Sequence, residues 1–262
     1  MNLDLSGKNA LVCGSTQGIG KAVALELAQL GANVILLARD EEKLKSTLAE
    51  LSVSAARRHR YLCSDFGDPA DLRSKVEKLI AELQIIHILV NNTGGPAGGP
   101  ALSAKSEEFV QTFSNHLLCN HLLVQVLAEG MKKAKYGRII NIISTSVKQP
   151  IKGLGVSNTI RAAVANWAKT LAGELGPFGV TVNNVLPGAT LTGRLSSLLE
   201  AKAQKTALSL DQLKKDMLDE IPAGRFADPS EVAAAVAFLA TPAAGYINGI
   251  NVPVDGGRTM SL

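Results

Sequence analysis

Three glycines near the start of the chain, Gly14, Gly18 and Gly20, stand in the spacing G-x3-G-x-G within CGSTQGIG (Cys13–Gly20). Residues lacking a Cβ let a backbone turn tightly and approach a bulky anion closely. The stretch joins an apolar run, NALVCG (Asn9–Gly14), to a helix-like run, GIGKAVALELAQLGA. A helix starting there offers unpaired N–H groups and a partial positive charge, which suit the pyrophosphate of a dinucleotide. Ser15, Thr16, Gln17 and Ile19, between the glycines, are candidates for the same contacts. Taken alone the triple could be only a tight turn; its strand–turn–helix setting makes it a binding motif. Arg39 follows the next apolar run, NVILLA (Asn33–Ala38). An acid there would bond the ribose 2′-hydroxyl of NAD, whereas an arginine suits the 2′-phosphate of NADP. The run ends in Ala38, so NADP(H) is favoured and NAD(H) is the alternative. Asp40, one residue on, should point elsewhere. The competing reading of Arg39 is a surface arginine paired with Glu41 or Glu42.

A scaffold that positions these residues is legible in the hydrophobic periodicity. Strands are expected over Asn9–Gly14, Asn33–Ala38, His59–Asp65, Ile85–Asn92, Gly137–Ser144 and Gly179–Gly188, and in the closing GINVPVDGG. Between them, helices are expected from Gly18 to a stop at Gly31, in RDEEKLKSTLAEL, from Pro69 to Leu83, from Ser106 to Lys135 and from Gly155 to Leu175. Two more are expected over Gly193–Leu218 and Pro229–Thr241. Strands apolar on both faces, alternating with helices, call for a parallel sheet covered on each side. The expectation is one α/β domain over residues 1–262 with a doubly wound, seven-stranded parallel sheet, which the family resemblance given below implies to be a Rossmann fold. The Gly/Pro-rich NNTGGPAGGPALSA follows the fourth strand, at the sheet edge where such folds bind ligands.

Composition narrows the partners. The chain has 262 residues, 46% hydrophobic and 19% charged, with a net charge of +4. The densest basic run, RRHR (Arg57–Arg60), has no accompanying aromatics or second basic face, so it reads as a solvated rim and not a nucleic-acid patch. Cys13, Cys63 and Cys119 show no metal-ligand spacing, and an odd count suits free thiols in a reducing compartment. The N-terminus lacks the pattern of a signal peptide, and no apolar run is long enough for a membrane span. A cytoplasmic protein acting on a small molecule is expected, with neither nucleic acid nor membrane as partner.

Several further motifs resemble those of the short-chain dehydrogenase/reductase family, and the likeness covers nearly the whole chain. NNTG (Asn91–Gly94) is similar to the family's N-N-A-G. CSDF resembles its adenine-contacting aspartate element and implicates Asp65 and Phe66. GRIINIIS resembles the strand that ends in the catalytic serine, here Ser144. VLPGATLT resembles the loop that holds the nicotinamide, with Pro187, Gly188 and Thr192 in the matching places. The likeness is greatest to β-ketoacyl-acyl-carrier-protein reductases. It implies cofactor contacts from Asn91, Thr93 and Gly94, and assembly as a homotetramer or homodimer.

The likeness fails at the catalytic residues. The family places a tyrosine thirteen residues after the serine and a lysine four further on; here those positions hold Ser157 and Arg161. The only tyrosines, Tyr61, Tyr136 and Tyr246, are not followed by a lysine at that spacing. The family's asparagine on the preceding helix becomes His116, with Asn115 one residue earlier. A serine hydroxyl is a far weaker acid than a phenol and is shorter by a ring. Arginine can hold charge and bond ribose hydroxyls, but it cannot shed a proton. Two outcomes follow. In the first the site is rebuilt, with Ser144 and Ser157 binding the carbonyl oxygen, water replacing the phenol, Arg161 holding the cofactor and His116 titrating near neutrality as proton source; Lys148 and Lys152 are further candidates. Ser157 and Arg161 would otherwise be a solvated helix edge, and His116 a helix histidine satisfied by a backbone partner. The chain would then be a catalytically silent NADP(H)-binding or scaffold protein. The leading expectation is an NADP(H)-dependent oxidoreductase that reduces a 3-oxoacyl-like carbonyl.

Overall fold

Strands this apolar must be shielded from water on both sides, and the chain achieves this with one sheet between two helical layers. The computed structural model describes residues 1–51, 58–206 and 208–261. The strands are β1 (Asn9–Cys13), β2 (Asn33–Ala38), β3 (Arg60–Cys63), β4 (Ile88–Asn91), β5 (Gly137–Ile142), β6 (Val180–Pro187) and β7 (Asn251–Val254). All pair in parallel, in the order β3-β2-β1-β4-β5-β6-β7. The order reverses between β1 and β4, which opens a crevice at their C-terminal ends.

Alternate strand residues serve opposite layers. Val12, Val34, Leu36 and Val90 face α1 (Gly18–Gln29), α2 (Glu41–Glu50) and a C-terminal helix, Pro229–Ala240. Leu11, Ile35, Leu37 and Leu89 face α3 (Pro69–Leu83) and the helices between β4 and β6. Local signals set the ends. Asp40 and Asp68 cap α2 and α3 by accepting from Lys43 N and Asp71 N, and Gly31 takes a left-handed φ of 102° after α1.

Two predicted helices differ from the structure. The run from Ser106 to Lys135 is α4 (Ser106–Phe113), a π turn (Ser114–Leu118) and α5 (Cys119–Ala134). The π turn inserts a residue, and it carries His116. The run Gly193–Leu218 is two helices, α7 (Gly193–Lys205) and α8 (Leu210–Asp219), because Ser209 starts a new helix by capping Gln212 N. Between α5 and α7, α6 spans Gly155–Leu175, as expected, and Pro229–Ala240 is α9. β2 has the predicted bounds, and the other predicted strands shorten by a residue or more at their ends. Of RRHR, Arg57 lies outside the described residues, while Arg60 pairs with Glu82 at 2.8 Å.

Four asparagines at matched register form a polar ladder across the buried sheet. Asn91 donates to Asn141 (2.8 Å), Asn141 to Asn184 (2.9 Å) and Asn184 to Asn251 (2.8 Å). Among the described residues no helix is long and apolar enough to cross a membrane.

Candidate active site

The glycine turn is built for close approach. Gly14 and Gly18 have φ of 59° and 53°, a region that L side chains rarely enter. A Cβ on Gly14 would meet Asn92 O at 2.7 Å, and one on Gly20 would collide with Gly14 O. Asn92 holds the turn by donating Nδ2 to Cys13 O (3.3 Å) and Gly14 O (3.2 Å). At the start of α1, Gln17 supplies no side-chain cap and the first turn carries no acid, so the helix's N–H groups face outward. Ser15 is wholly buried and donates to Leu37 O at 3.4 Å, which ties the turn to β2. Thr16 and Gln17 lie on the outer side, and Ile19 packs on the core. Across the turn, Thr192 caps α7 by accepting from Leu195 N, and its methyl would lie 3.1 Å from a Cβ on Gly18. The loop from Pro187 to Thr192 therefore closes over the glycines. Gly188 has no room for a side chain, because a Cβ would meet Asp255 at 2.7 Å.

Arg39 is exposed at the end of β2. Its carboxylate neighbours are engaged elsewhere: Glu41 and Glu42 both pair with Lys45, and Asp40 caps α2. The predicted pairing with Glu41 or Glu42 is absent among the described residues. Asp65 is exposed beside Arg39's strand end, accepting from Gly67 N. Two residues expected at the cofactor have buried side chains. The Phe66 ring packs into the core beside Leu72 and Leu123, and its carbonyl accepts from Cys119 Sγ at 3.3 Å. The Asn91 side chain is 2% exposed and belongs to the ladder; its neighbour Asn92 is the one that touches the glycine turn. Cys13 and Cys119 are buried free thiols, and burial pushes Cys13 up to about 12.

The residues in the catalytic positions come together where β4 and β5 end. Ser144 starts a short turn (Thr145–Val147), and its Oγ accepts from Ser146 N at 3.1 Å, leaving its proton free to donate. The helix α6 packs on that turn and on the π turn. Arg161 is 9% exposed and donates Nη1 to Ile142 O at 3.1 Å, two residues before Ser144. Burial, with the charge of Arg194 second, lowers it to about 10, and it stays charged at neutral pH. Ser157 is 7% exposed and its hydroxyl makes no hydrogen bond among the described residues. The solvated-edge reading of Ser157 and Arg161 is thus overturned: both are buried because α6 presses this face onto the end of β5.

His116 is 4% exposed. Its Nε2 lies 3.1 Å from Gly94 O, and its Nδ1 2.7 Å from Thr93 Oγ1. A carbonyl can only accept, so Nε2 carries the proton and Nδ1 accepts from the Thr93 hydroxyl. Burial, then the charge of Arg161, pushes its pKa down to about 3. The expectation that His116 titrates near neutrality is therefore corrected; it is a neutral strut between the π turn and the Thr93–Gly94 loop. Lys152 is exposed on the rim of a cavity of about 350 Å³ that also touches Thr145.

Two site residues were missed in the sequence. Asn92 was half visible, as the second asparagine of a pair. Arg194 was not visible at all, because only the folded β6–α7 loop brings it to Pro96 O and to within 3.1 Å of a Cβ on Gly95. Among the described residues no group of His, Cys, Asp and Glu could hold a metal ion.

Comparison with known proteins agrees with this geometry. A family model described as Enoyl-(Acyl carrier protein) reductase matches residues 14–259. The chain is 34% identical over 258 residues to the 3-oxoacyl-[acyl-carrier-protein] reductase FabG of Vibrio cholerae, covering 98% of this chain and 100% of that one. It is 32% identical to the cyclohexanol dehydrogenase of a Rhodococcus species, covering 99% of each. The L-sorbose reductase of Gluconobacter frateurii, solved with NADPH and L-sorbose, superposes with a TM-score of 0.92 at 29% identity, covering 100% of both chains. A parallel sheet in this order, an intact glycine turn and full-length similarity to these enzymes place the chain in the short-chain dehydrogenase/reductase family of NAD(P)-dependent oxidoreductases, in its β-ketoacyl-acyl-carrier-protein reductase-like branch.

Proposed function

We propose that this chain is an NADPH-dependent reductase of a small carbonyl compound, 3-oxoacyl-like in reach, that works without a tyrosine acid. The observation that carries this reading is the buried cation Arg161, held on Ile142 O beside the turn that presents Ser144. A chain that had abandoned chemistry would gain stability by replacing a buried guanidinium with an apolar side chain.

The residues fit the cofactor. Side chains at Gly14, Gly18 and Gly20 would fill the cradle or strain its turn, the first turn of α1 is open to phosphate, and Arg39 is available for a 2′-phosphate. Gly188 and Thr192 would border the nicotinamide end, with Thr93, Gly94 and Arg161 on the ribose. NADPH, when bound, supplies the hydride. The chain's own work is to hold the carbonyl oxygen and stabilise the negative charge that develops there. Ser144 and Ser157 donate hydroxyl protons to that oxygen, and the Arg161 charge lies behind them in a water-poor site, where fixed charges act strongly. The proton that completes the alcohol comes from water, since serine is too weak an acid, Arg161 cannot release a proton and His116 carries none on Nδ1.

The test is NADPH oxidation across a panel of ketones and oxoacyl esters. Turnover that falls about 100-fold in Ser144→Ala supports the reading; turnover indifferent to Ser144 overturns it. NADPH binding with no turnover on any member would leave the chain a cofactor-binding protein, which the absent phenol favours as the second reading.

A further inference from the structure

The cavity of about 350 Å³ beside the Ser144 turn is at the small end of the ~300–1,000 Å³ typical of ligand sites. Thr145, the residue after Ser144 and the first of that turn, forms part of its wall. Adjacent Cα atoms stand about 3.8 Å apart, so the wall begins beside that serine. Another part of the wall comes from two segments distant in the chain. Glu220 follows α8, Arg258 follows β7, and Arg258 donates Nε (3.1 Å) and Nη2 to a single oxygen, Glu220 Oε2. Ala223 N donates to Gly256 O at 3.0 Å, so the two segments are joined by backbone as well. Most ligand pockets are lined mainly by apolar side chains with a few polar groups. Here Gln149, Lys152, Glu220, Arg258 and Thr259 all line the cavity, and apolar side chains are the minority. Much of that polar capacity is unused. Arg258 keeps Nη1 free and Glu220 keeps Oε1 free. The Lys152 ammonium, the Gln149 amide and the Thr259 hydroxyl make no hydrogen bond among the described residues.

Resting on the reductase reading above, we propose that this cavity selects a compact polyhydroxylated ketone, sugar-like in chemistry, over a hydrocarbon ketone or an acyl thioester. A polyol chain offers a donor and an acceptor at each hydroxyl, which matches a carboxylate oxygen set among a guanidinium, an ammonium and an amide. Glu220 Oε1 accepts hydroxyl protons, while Arg258 Nη1 and Lys152 Nζ donate to hydroxyl oxygens. The carbon–hydrogen faces of the same chain fit Ile151 and Met260, which also line the cavity. An acyl chain would instead cover these charged groups with hydrocarbon and strip their water without replacing it. In the reaction the carbonyl carbon takes a hydride from NADPH and its oxygen a proton from water, leaving a polyol, NADP⁺ and hydroxide.

Two experiments test this, one without turnover. In steady-state assays with NADPH, L-erythrulose should exceed both 2-butanone, its deoxygenated counterpart, and the N-acetylcysteamine thioester of acetoacetate by about 100-fold in kcat/KM. Glu220→Gln should lower the erythrulose-to-butanone ratio about tenfold, mainly through the KM for erythrulose. Lys152→Met, which leaves the Glu220–Arg258 pair in place, should lower it in the same direction. In saturation-transfer NMR on the protein saturated with NADP⁺, erythritol, a reduction product of erythrulose, should receive magnetisation and 1-butanol should not. Both variants should weaken the erythritol signal. An erythrulose-to-butanone ratio near one, or faster turnover of the thioester than of erythrulose, overturns the proposal. A high ratio that neither variant lowers also overturns it, because the preference would then reflect the reactivity of hydroxyketones and the ion pair would be merely structural. Equal transfer to erythritol and 1-butanol does the same. Erythritol binding that both variants weaken, in a protein that reduces no ketone, would support the polyol site while defeating the reductase reading.

Discussion

His116 shows how a residue's chemistry depends on its surroundings. An exposed imidazole titrates near pH ~6.5, but this one is enclosed and fixed as the Nε2–H tautomer by the Gly94 carbonyl. Its folded-state pKa lies below its unfolded value. The unfolded chain therefore takes up a proton first as the pH falls. Stability is unaffected above about pH 6.5 and declines below it at about 1.4 kcal/mol per pH unit from this group, down to its folded pKa of about 3. His87, pushed down to about 4 by burial and then by Lys8, adds a decline of the same sign. Urea denaturation between pH 7 and pH 5 should show this slope, and His116→Asn should remove its share. Initial rates of carbonyl reduction over the same range should show no inflection that His116→Asn abolishes. At the cofactor's other end, Arg39→Ala should raise the KM for NADPH by about tenfold and leave that for NADH nearly constant, since only the former carries a 2′-phosphate.

At the scale of elements, the site is a junction of strand ends held by amides. The ladder from Asn91 to Asn251 binds four adjacent strands by side chains as well as backbone. Asn141 is its middle rung and is wholly buried. Asn141→Ala would leave an amide N–H of Asn91 and the oxygen of Asn184 without partners. The expected cost is about 3 kcal/mol by urea denaturation, whereas an exposed asparagine would cost little. The glycine turn is held in the same manner, by Asn92 onto Cys13 O and Gly14 O. Gly20→Ala places a Cβ against the Gly14 carbonyl; NADPH affinity measured by calorimetry should fall by about tenfold or more, with the far-UV circular dichroism retained.

At the scale of the whole molecule, a strip of apolar side chains is left in water. Val110 is 68% exposed, Phe113 38% and Leu118 47%, spaced along α4 and the π turn, and Leu102 just before them is fully exposed. A strip of this kind is a docking face more often than a surface accident. We predict isologous pairing of two copies across it, giving at least a homodimer. Light scattering should report that mass, and Val110→Asp with Leu118→Asp should shift it toward the monomer.

The parallel sheet, the glycine turn and the loss of the tyrosine–lysine pair were all legible in the sequence, because each is carried by residue type at fixed local spacing. Alternation between strand and helix patterns dictates parallel pairing, and glycine is required wherever the backbone must approach a phosphate. Whether Ser157 and Arg161 faced solvent or the core was not legible, since that depends on how α6 rests on the end of β5. The same holds for the neutrality of His116, for the asparagines that align only once strands are in register, and for Arg194. Burial, protonation and charge proximity are properties of the space between elements distant in the chain, so the tertiary structure alone decided them.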